Sequence, residues 1–193
     1  MAASATPYGL RPINLLGGQP MSHGIRLYAI TAAYGTSIFY GDLVKIVAGG
    51  TVEKDTGTAT ANPVGVFLGC EYELSDMGLL HKQFWLADTV VKTGTTAWAY
   101  VCDDPDALFE VQADDTLGQD AIGANAAIVQ GSGSTATGNS GVSLDASSVN
   151  VTATLPLRIV DYVDKQGFSE LDDAFTDMIV RINTHFNRNA TGI

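Results

Sequence analysis

Apolar and polar positions alternate in short runs along this chain, and turn residues interrupt the runs at close intervals. Runs rich in β-branched and aromatic side chains fall at Ile25–Thr31, Leu43–Val47, Val64–Leu74, Phe84–Lys92, Ala97–Cys102 and Leu108–Gln112. Gly49-Gly50, Asp55-Thr-Gly57, Asp76-Met-Gly78 and Asp103-Asp-Pro105-Asp mark the breaks between them. Strands this short, joined by turns this frequent, predict an all-β domain, a β-sandwich of jelly-roll type or a barrel. Thr152–Val163 carries the clearest alternation, with Leu155, Leu157, Ile159 and Val163 on one side. Pro156 cannot donate to a ladder, so that strand belongs at an edge or a bulge.

The two ends read differently. At the C-terminus, Leu171, Phe175, Met178, Ile179, Ile182 and Phe186 fit a helical stripe, with Ser169 and Asp172 as a capping box. Met178, Val180, Ile182, Thr184 and Phe186 fit one face of a strand equally well. The preferred reading is a strand over Thr176–Phe186 after a helical turn at Ser169–Asp173. At the N-terminus, residues 1–24 read as an extended arm ahead of a β-rich domain over 25–193. Pro7, Pro12, Gly17, Gly18 and Pro20 interrupt regular structure there, yet Tyr8, Leu10, Ile13, Leu15 and Leu16 are too apolar for a free tail. Such a segment docks on its own domain or on a neighbour. With Arg11, these five residues form the candidate partner-binding set. The expectation is that residues 6–20 reach a neighbouring subunit, and that deleting residues 1–20 leaves the domain folded.

A third segment, residues 131–141, consists of Gly, Ser, Thr, Ala and Asn alone. It reads as a flexible linker or as a surface loop ordered by local Ser and Thr hydrogen bonds.

Length and composition bound the rest. The chain has 193 residues, 46% of them apolar, which suits one core-forming domain. Only 16% are charged, so part of the surface is expected to be covered by partners. The net charge of −11, with 10 Lys and Arg and no basic run, argues against nucleic acid and against an anionic membrane surface. The charge is uneven. Residues 1–41 contain no acid, and residues 93–157 contain no Lys or Arg while carrying eight Asp and Glu. Solvated acidic loops explain this, as does an acid-free arm meeting acidic surface on a neighbour. Without a signal peptide or a membrane-length apolar run, folding in a host cytoplasm is expected. On that basis the sequons at Asn150 and Asn189 count as chance.

No constellation for catalysis emerges, and the expectation is a non-enzyme without cofactor or metal. His23, His81 and His185 are scattered, and Cys70 and Cys102 read as reduced, buried thiols. Gly131-Ser-Gly133 follows an apolar run but opens no helix, so a dinucleotide loop is rejected. Asp103, Asp104 and Asp106 could suggest calcium, but the turn glycine and closing glutamate of a calcium loop are missing. Phe67, Phe84, Trp85, Trp98, Tyr100 and Phe109 lie on candidate strands and read as core before ligand cradle.

Four stretches, in order, resemble a family of virion structural proteins of tailed, podovirus-like phages, encoded beside the major capsid protein. They are Tyr8-Gly-Leu-Arg-Pro12, residues 104–112 (DPDALFEVQ), residues 128–160 from Ile-Val-Gln-Gly-Ser through Ser140-Gly-Val-Ser-Leu to Leu-Arg-Ile-Val160, and Val180-Arg-Ile-Asn-Thr-His185. The resemblance implies a head decoration or cement protein, bound to the major capsid protein on the outer surface of the virion. It brings no catalytic residues. Self-association as a homodimer or homotrimer is expected with it. The alternatives are another virion component at the portal vertex or tail, or a glycan-binding display protein using Trp85 or Trp98.

Overall fold

A computed structural model describes residues 4–21, 24–164, 169–189 and 192. His23 and the first three residues of the N-terminal segment lie outside these. The chain is all-β, with antiparallel sheets and only three single-turn 3-10 helices among the described residues.

The strands in chain order are β1 (Arg11–Leu15), β2 (Ile25–Ile30), β3 (Leu43–Ile46), β4 (Val52–Lys54), β5 (Gly65–Leu74), β6 (Gly78–Lys82), β7 (Ala97–Cys102), β8 (Ala107–Gln112), β9 (Asn125–Ala126), β10 (Ile128–Val129), β11 (Ser143–Leu144), β12 (Leu157–Tyr162) and β13 (Asp177–Ile182). One sheet runs β1-β8-β13-β12-β9. The other runs β2-β7-β5-β3-β4, with β6 paired to the far half of β5. This second sheet curls, and its ends meet where the Thr31 and Thr51 hydroxyls lie 3.1 Å apart. Strands β10 and β11 form a small ribbon.

Alternation along the strands sends side chains into two cores. The concave side of the curled sheet encloses Ile30, Ile38, Val44, Val52, Phe67, Cys70, Trp85, Ala97, Ala99 and Val101. Its convex side contributes Leu43, Val66 and Cys102 to a second core. There they meet Phe109, Val111, Leu157, Ile159, Met178, Val180 and Ile182 of the flatter sheet. The two sheets thus pack as a sandwich in which one layer is itself half a barrel. Alternation along β5 sends Val66 to the convex core and Phe67 to the concave one, and a bulge between Phe67 and Gly69 keeps Cys70 and Tyr72 on the same side as Phe67.

Three expected elements differ. Phe84–Lys92 is not a strand: Trp85 alone makes a bridge, to Ile38, and its indole plugs the concave core. The strand expected over Thr152–Val163 begins only at Leu157, after Pro156. Ahead of it, the Asn183 amide donates to the carbonyls of Ala153 and Leu155, holding them in turns. At Ser169–Asp173 there is no helical turn. The Ser169 hydroxyl instead accepts from the Asp177 amide, and Thr176 donates back into the same turn. The strand reading of the C-terminal segment holds over Asp177–Ile182, with Met178, Val180 and Ile182 facing the core. A 3-10 turn over Phe186–Arg188 then ends it.

The Gly/Ser/Thr segment is an ordered loop. Its glycines permit close packing: a Cβ on Gly131 would lie 1.9 Å from the Gly141 carbonyl oxygen, and one on Gly133 would lie 2.1 Å from the Phe39 ring. Backbone bonds from Tyr40 to Gly138 and from Ser140 to Tyr40 fasten the loop to the segment before β3.

Candidate partner-binding surface

The N-terminal segment lies on the chain's own domain. Strand β1 is the edge of the flatter sheet, antiparallel to β8, with a bulge between Pro12 and Asn14. That bulge accommodates Pro12 and leaves Ile13 unpaired. Ahead of β1, the amides of Gly9 and Leu10 donate to Val142 and Gly41. Leu10 is wholly buried in the core between the sheets. Deleting residues 1–20 would therefore remove a sheet strand and open that core, against the expectation that the domain would stay folded.

The six candidate residues divide into two groups. Leu10 in the core between the sheets, and Leu15 packed against that core, anchor the segment inward. Tyr8 is held by acids of its own domain: its hydroxyl donates to Asp177 Oδ1 at 2.8 Å and lies 3.2 Å from Glu110 Oε1. Burial, and then these carboxylates, push the phenol well above its ordinary pKa. Arg11 stacks on the same ring, 3.9 Å from its centroid. The acid-free segment thus meets acidic residues within its own chain. Ile13 (39%) and Leu16 (46%) remain exposed.

Two clefts flank this segment. One, of about 460 Å³, lies between Thr6, Tyr8 and Arg11 and the ordered loop, at Ser132, Ser134, Thr137 and Asn139. After β1 the chain turns back at Gly17 and Gly18 and Pro20 bridges to Asn14, making a short hairpin, and the other cleft, of about 430 Å³, lies at its tip between Leu15, Leu16, Gln19 and Asp106. Both are open and polar-rimmed. Either can seat a side chain or a turn of another protein.

Other residues singled out in the sequence are spent on structure. Asp103 accepts from the Tyr28 hydroxyl and pairs with Arg26. Asp104 caps its own turn through the Asp106 amide, and Asp106 pairs with Arg188. Among the described residues, no group of three or more His, Cys, Asp or Glu is arranged to hold a metal ion. Cys70 and Cys102 are buried free thiols, pushed up to about 12 chiefly by burial. Trp85 is fully buried and cannot cradle a glycan, whereas Trp98 is 38% exposed. No helix among the described residues is long and apolar enough to cross a membrane.

His185 is wholly buried, and no sequence signal set it apart. Its Nδ1 accepts from the Asn187 amide, while Nε2 has no hydrogen-bond partner. Burial lowers its pKa, Arg188 adding to the shift while Asp103, Asp104 and Asp106 oppose it. The native chain therefore resists a proton that the unfolded chain accepts below pH about 6.5. Stability held by the neutral ring is complete above that pH and declines as pH falls below it. Urea midpoints should drop between about pH 7.5 and about pH 5.5, and His185→Gln should lessen that drop. An equal drop in the variant would assign the effect to carboxylates.

Known protein families, curated proteins and solved structures give no match to this chain. The resemblance to phage structural proteins therefore rests on its quoted motifs.

Proposed function

We propose that this chain is a non-enzymatic structural protein of a tailed-phage head, seated on the outer surface of the shell and bridging neighbouring capsomers of the major capsid protein. One observation carries the reading. The β1 hairpin is fastened to the domain by Leu10, Tyr8 and the β8 ladder, yet it holds Ile13 and Leu16 out in solvent beside a cleft. Apolar side chains displayed on rigid backbone form a preorganised knob, which loses little entropy when a partner groove receives it.

The acidic balance supports an outer position, since packaged DNA would repel a chain of net charge −11. The proposed mechanism is mechanical. Internal pressure parts capsomers, and a bridging subunit adds binding free energy that must first be lost. Lattice repetition makes many modest contacts effective together.

The test is co-sedimentation with heads stripped of the protein. Leu16→Asp, at an exposed position, should leave the fold intact and weaken binding about tenfold or more. An Ile13→Asp/Leu16→Asp double variant that saturates heads like the parent chain would refute the knob.

A further inference from the structure

Charge is segregated along the flatter sheet. In the β12–β13 ladder Leu157 lies opposite Ile182, both in the core, so the next pair, Arg158 and Arg181, stands side by side on the outer face. Like charges directly opposite each other are unfavourable. Arg188, from the turn after β13, comes up beside them and pairs with Asp106. Arg158 donates through its Nε to the Asn125 side chain at 3.0 Å. Arg181 is half-buried and makes no hydrogen bond or ion pair among the described residues. Burial, then Arg188 and Arg158, lower its pKa, while Asp106, already paired with Arg188, opposes them. The border of this cluster is apolar. The Asn125 amide group also donates to the Thr152 carbonyl at 3.0 Å, which brings the turn at Val151, 88% exposed, to the edge of the cluster.

The opposite end of the same strands is acidic. The loop leaving β8 and the loop entering β13 lie together there. The Asp172 amide donates to the Leu117 carbonyl at 3.0 Å, and the Asp120 and Asp172 carboxylates flank Gly118. Asp114, Asp115, Asp120, Glu170 and Asp172 are exposed, and residues 113–124 and 169–176 contain no Lys or Arg. Between these loops and the N-terminal segment, Ala5, Pro7, Ala113 and Phe175 line an apolar pocket of about 120 Å³, with Asp114 in its wall.

We infer that the arginine end of one copy of this chain binds the acidic end of a second copy, with Val151 seated in the pocket at Phe175 and Arg158, Arg181 and Arg188 facing the carboxylates. Both halves of the contact are present on the chain. An apolar side chain meets an apolar hole, and carboxylates meet guanidinium groups short of counter-charge. The net charge of −11 does not prevent this. Arg181 and Asp177 are four residues apart on β13, about 14 Å, and the acidic loops lie farther still. Screening acts over about 10 Å in 0.1 M salt, so an approaching copy meets the charge of each end separately. The two surfaces differ and face opposite ways, so the contact is head-to-tail. It closes into a ring of three or more copies or runs on as a chain.

The contact uses neither Ile13 nor Leu16, so the inference stands or falls independently of the head assignment. Sedimentation of the full chain in about 0.1 M and about 1 M salt tests it. Assemblies of more than two copies are expected at the lower salt, with affinity reduced at least about tenfold at the higher. Arg181→Glu and Asp115→Arg/Asp120→Arg should each give a monomer with unchanged circular dichroism. Mixing these two variants should restore assembly, since each supplies the end that the other lacks. Val151→Asp, at an exposed position, leaves the cores untouched and should weaken assembly about tenfold. It decides the case alone if Arg181→Glu misfolds. A parent chain that is monomeric at the lower salt, including one whose arginines take up another anion, would overturn the inference. So would a parent that stops at a dimer, charge-reversed variants that assemble alone or fail to assemble when mixed, or a Val151→Asp chain that assembles like the parent.

Discussion

Trp85→Ala should destabilise the domain by about 3–5 kcal/mol, lowering the melting temperature on the order of 10 °C. The indole is fully buried at the centre of the concave core, beside Ile38, Phe67 and Cys70. It meets the Tyr72 ring edge-on, with centroids 5.4 Å apart, and its Nε1 donates to the Tyr34 carbonyl at 3.3 Å. A half-barrel cannot collapse around so large a void, because its wall strands are fixed by their ladders. Trp85→Phe separates the contributions. It keeps most of the apolar contact and loses the donor to Tyr34, so its cost should be smaller, about 1–3 kcal/mol. Urea unfolding of the three proteins checks the order. Equal stability of the parent and the alanine variant would mean that the concave core does not hold the domain together.

Asp42→Ala should cost about as much, about 3–5 kcal/mol, through removal of one partner of a buried pair. Asp42 is fully buried and engages three elements at once. It accepts from the Phe39 amide at 2.8 Å, from Lys54 of β4 at 3.0 Å and from the Ser140 hydroxyl at 2.6 Å. Its loss strands a largely buried ammonium and removes one of the ties between the 131–141 loop and the segment before β3. Limited proteolysis gives a second readout, since the loosened loop should be cut faster than in the parent chain. Asp42→Ala/Lys54→Met removes both charges and should recover part of the loss. A single variant as stable as the parent, with an uncut loop, would contradict this role.

What could be read from the chain, and what could not, follows from how each signal arises. Ala97–Cys102 and Leu108–Gln112 were legible because both fall on central strands whose apolar residues face cores. Strand β6 was read only as a break at Asp76–Gly78. Leu79, His81 and Lys82 are exposed, so it lacks the β-branched pattern of a packed strand and owes its place to the hairpin ladder with β5. Phe84–Lys92 gave the opposite error, since its composition matches a strand while Trp85 acts as a plug. Residues 131–141 look like a linker because packing backbone against backbone requires the same small residues that flexibility does.

The candidate surface was legible in part. The apolar content of Tyr8 to Leu16 showed correctly that the segment docks, but not on what. Its contact with Glu110 and Asp177 joins residues about a hundred positions or more apart in the chain, beyond the reach of any local pattern. Alternation alone sets Ile13 opposite Leu10, but the bulge after Pro12 turns Leu15 inward and Leu16 outward, a switch of face that no alternation rule locates. His185 was passed over for the same reason: its burial comes from the segment after β13 crossing to the loop at Ala61–Pro63, where Thr184 and Phe186 are bonded.

Electron cryomicroscopy of purified particles, with mass spectrometry of the same preparation, bears most directly on what this chain is for. Ordered density matching the sandwich should sit on the outer face of the shell at a fixed lattice position, with the hairpin carrying Ile13 and Leu16 turned toward capsid subunits. A chain absent from purified particles, or found only on the inner side of the shell, would contradict the account.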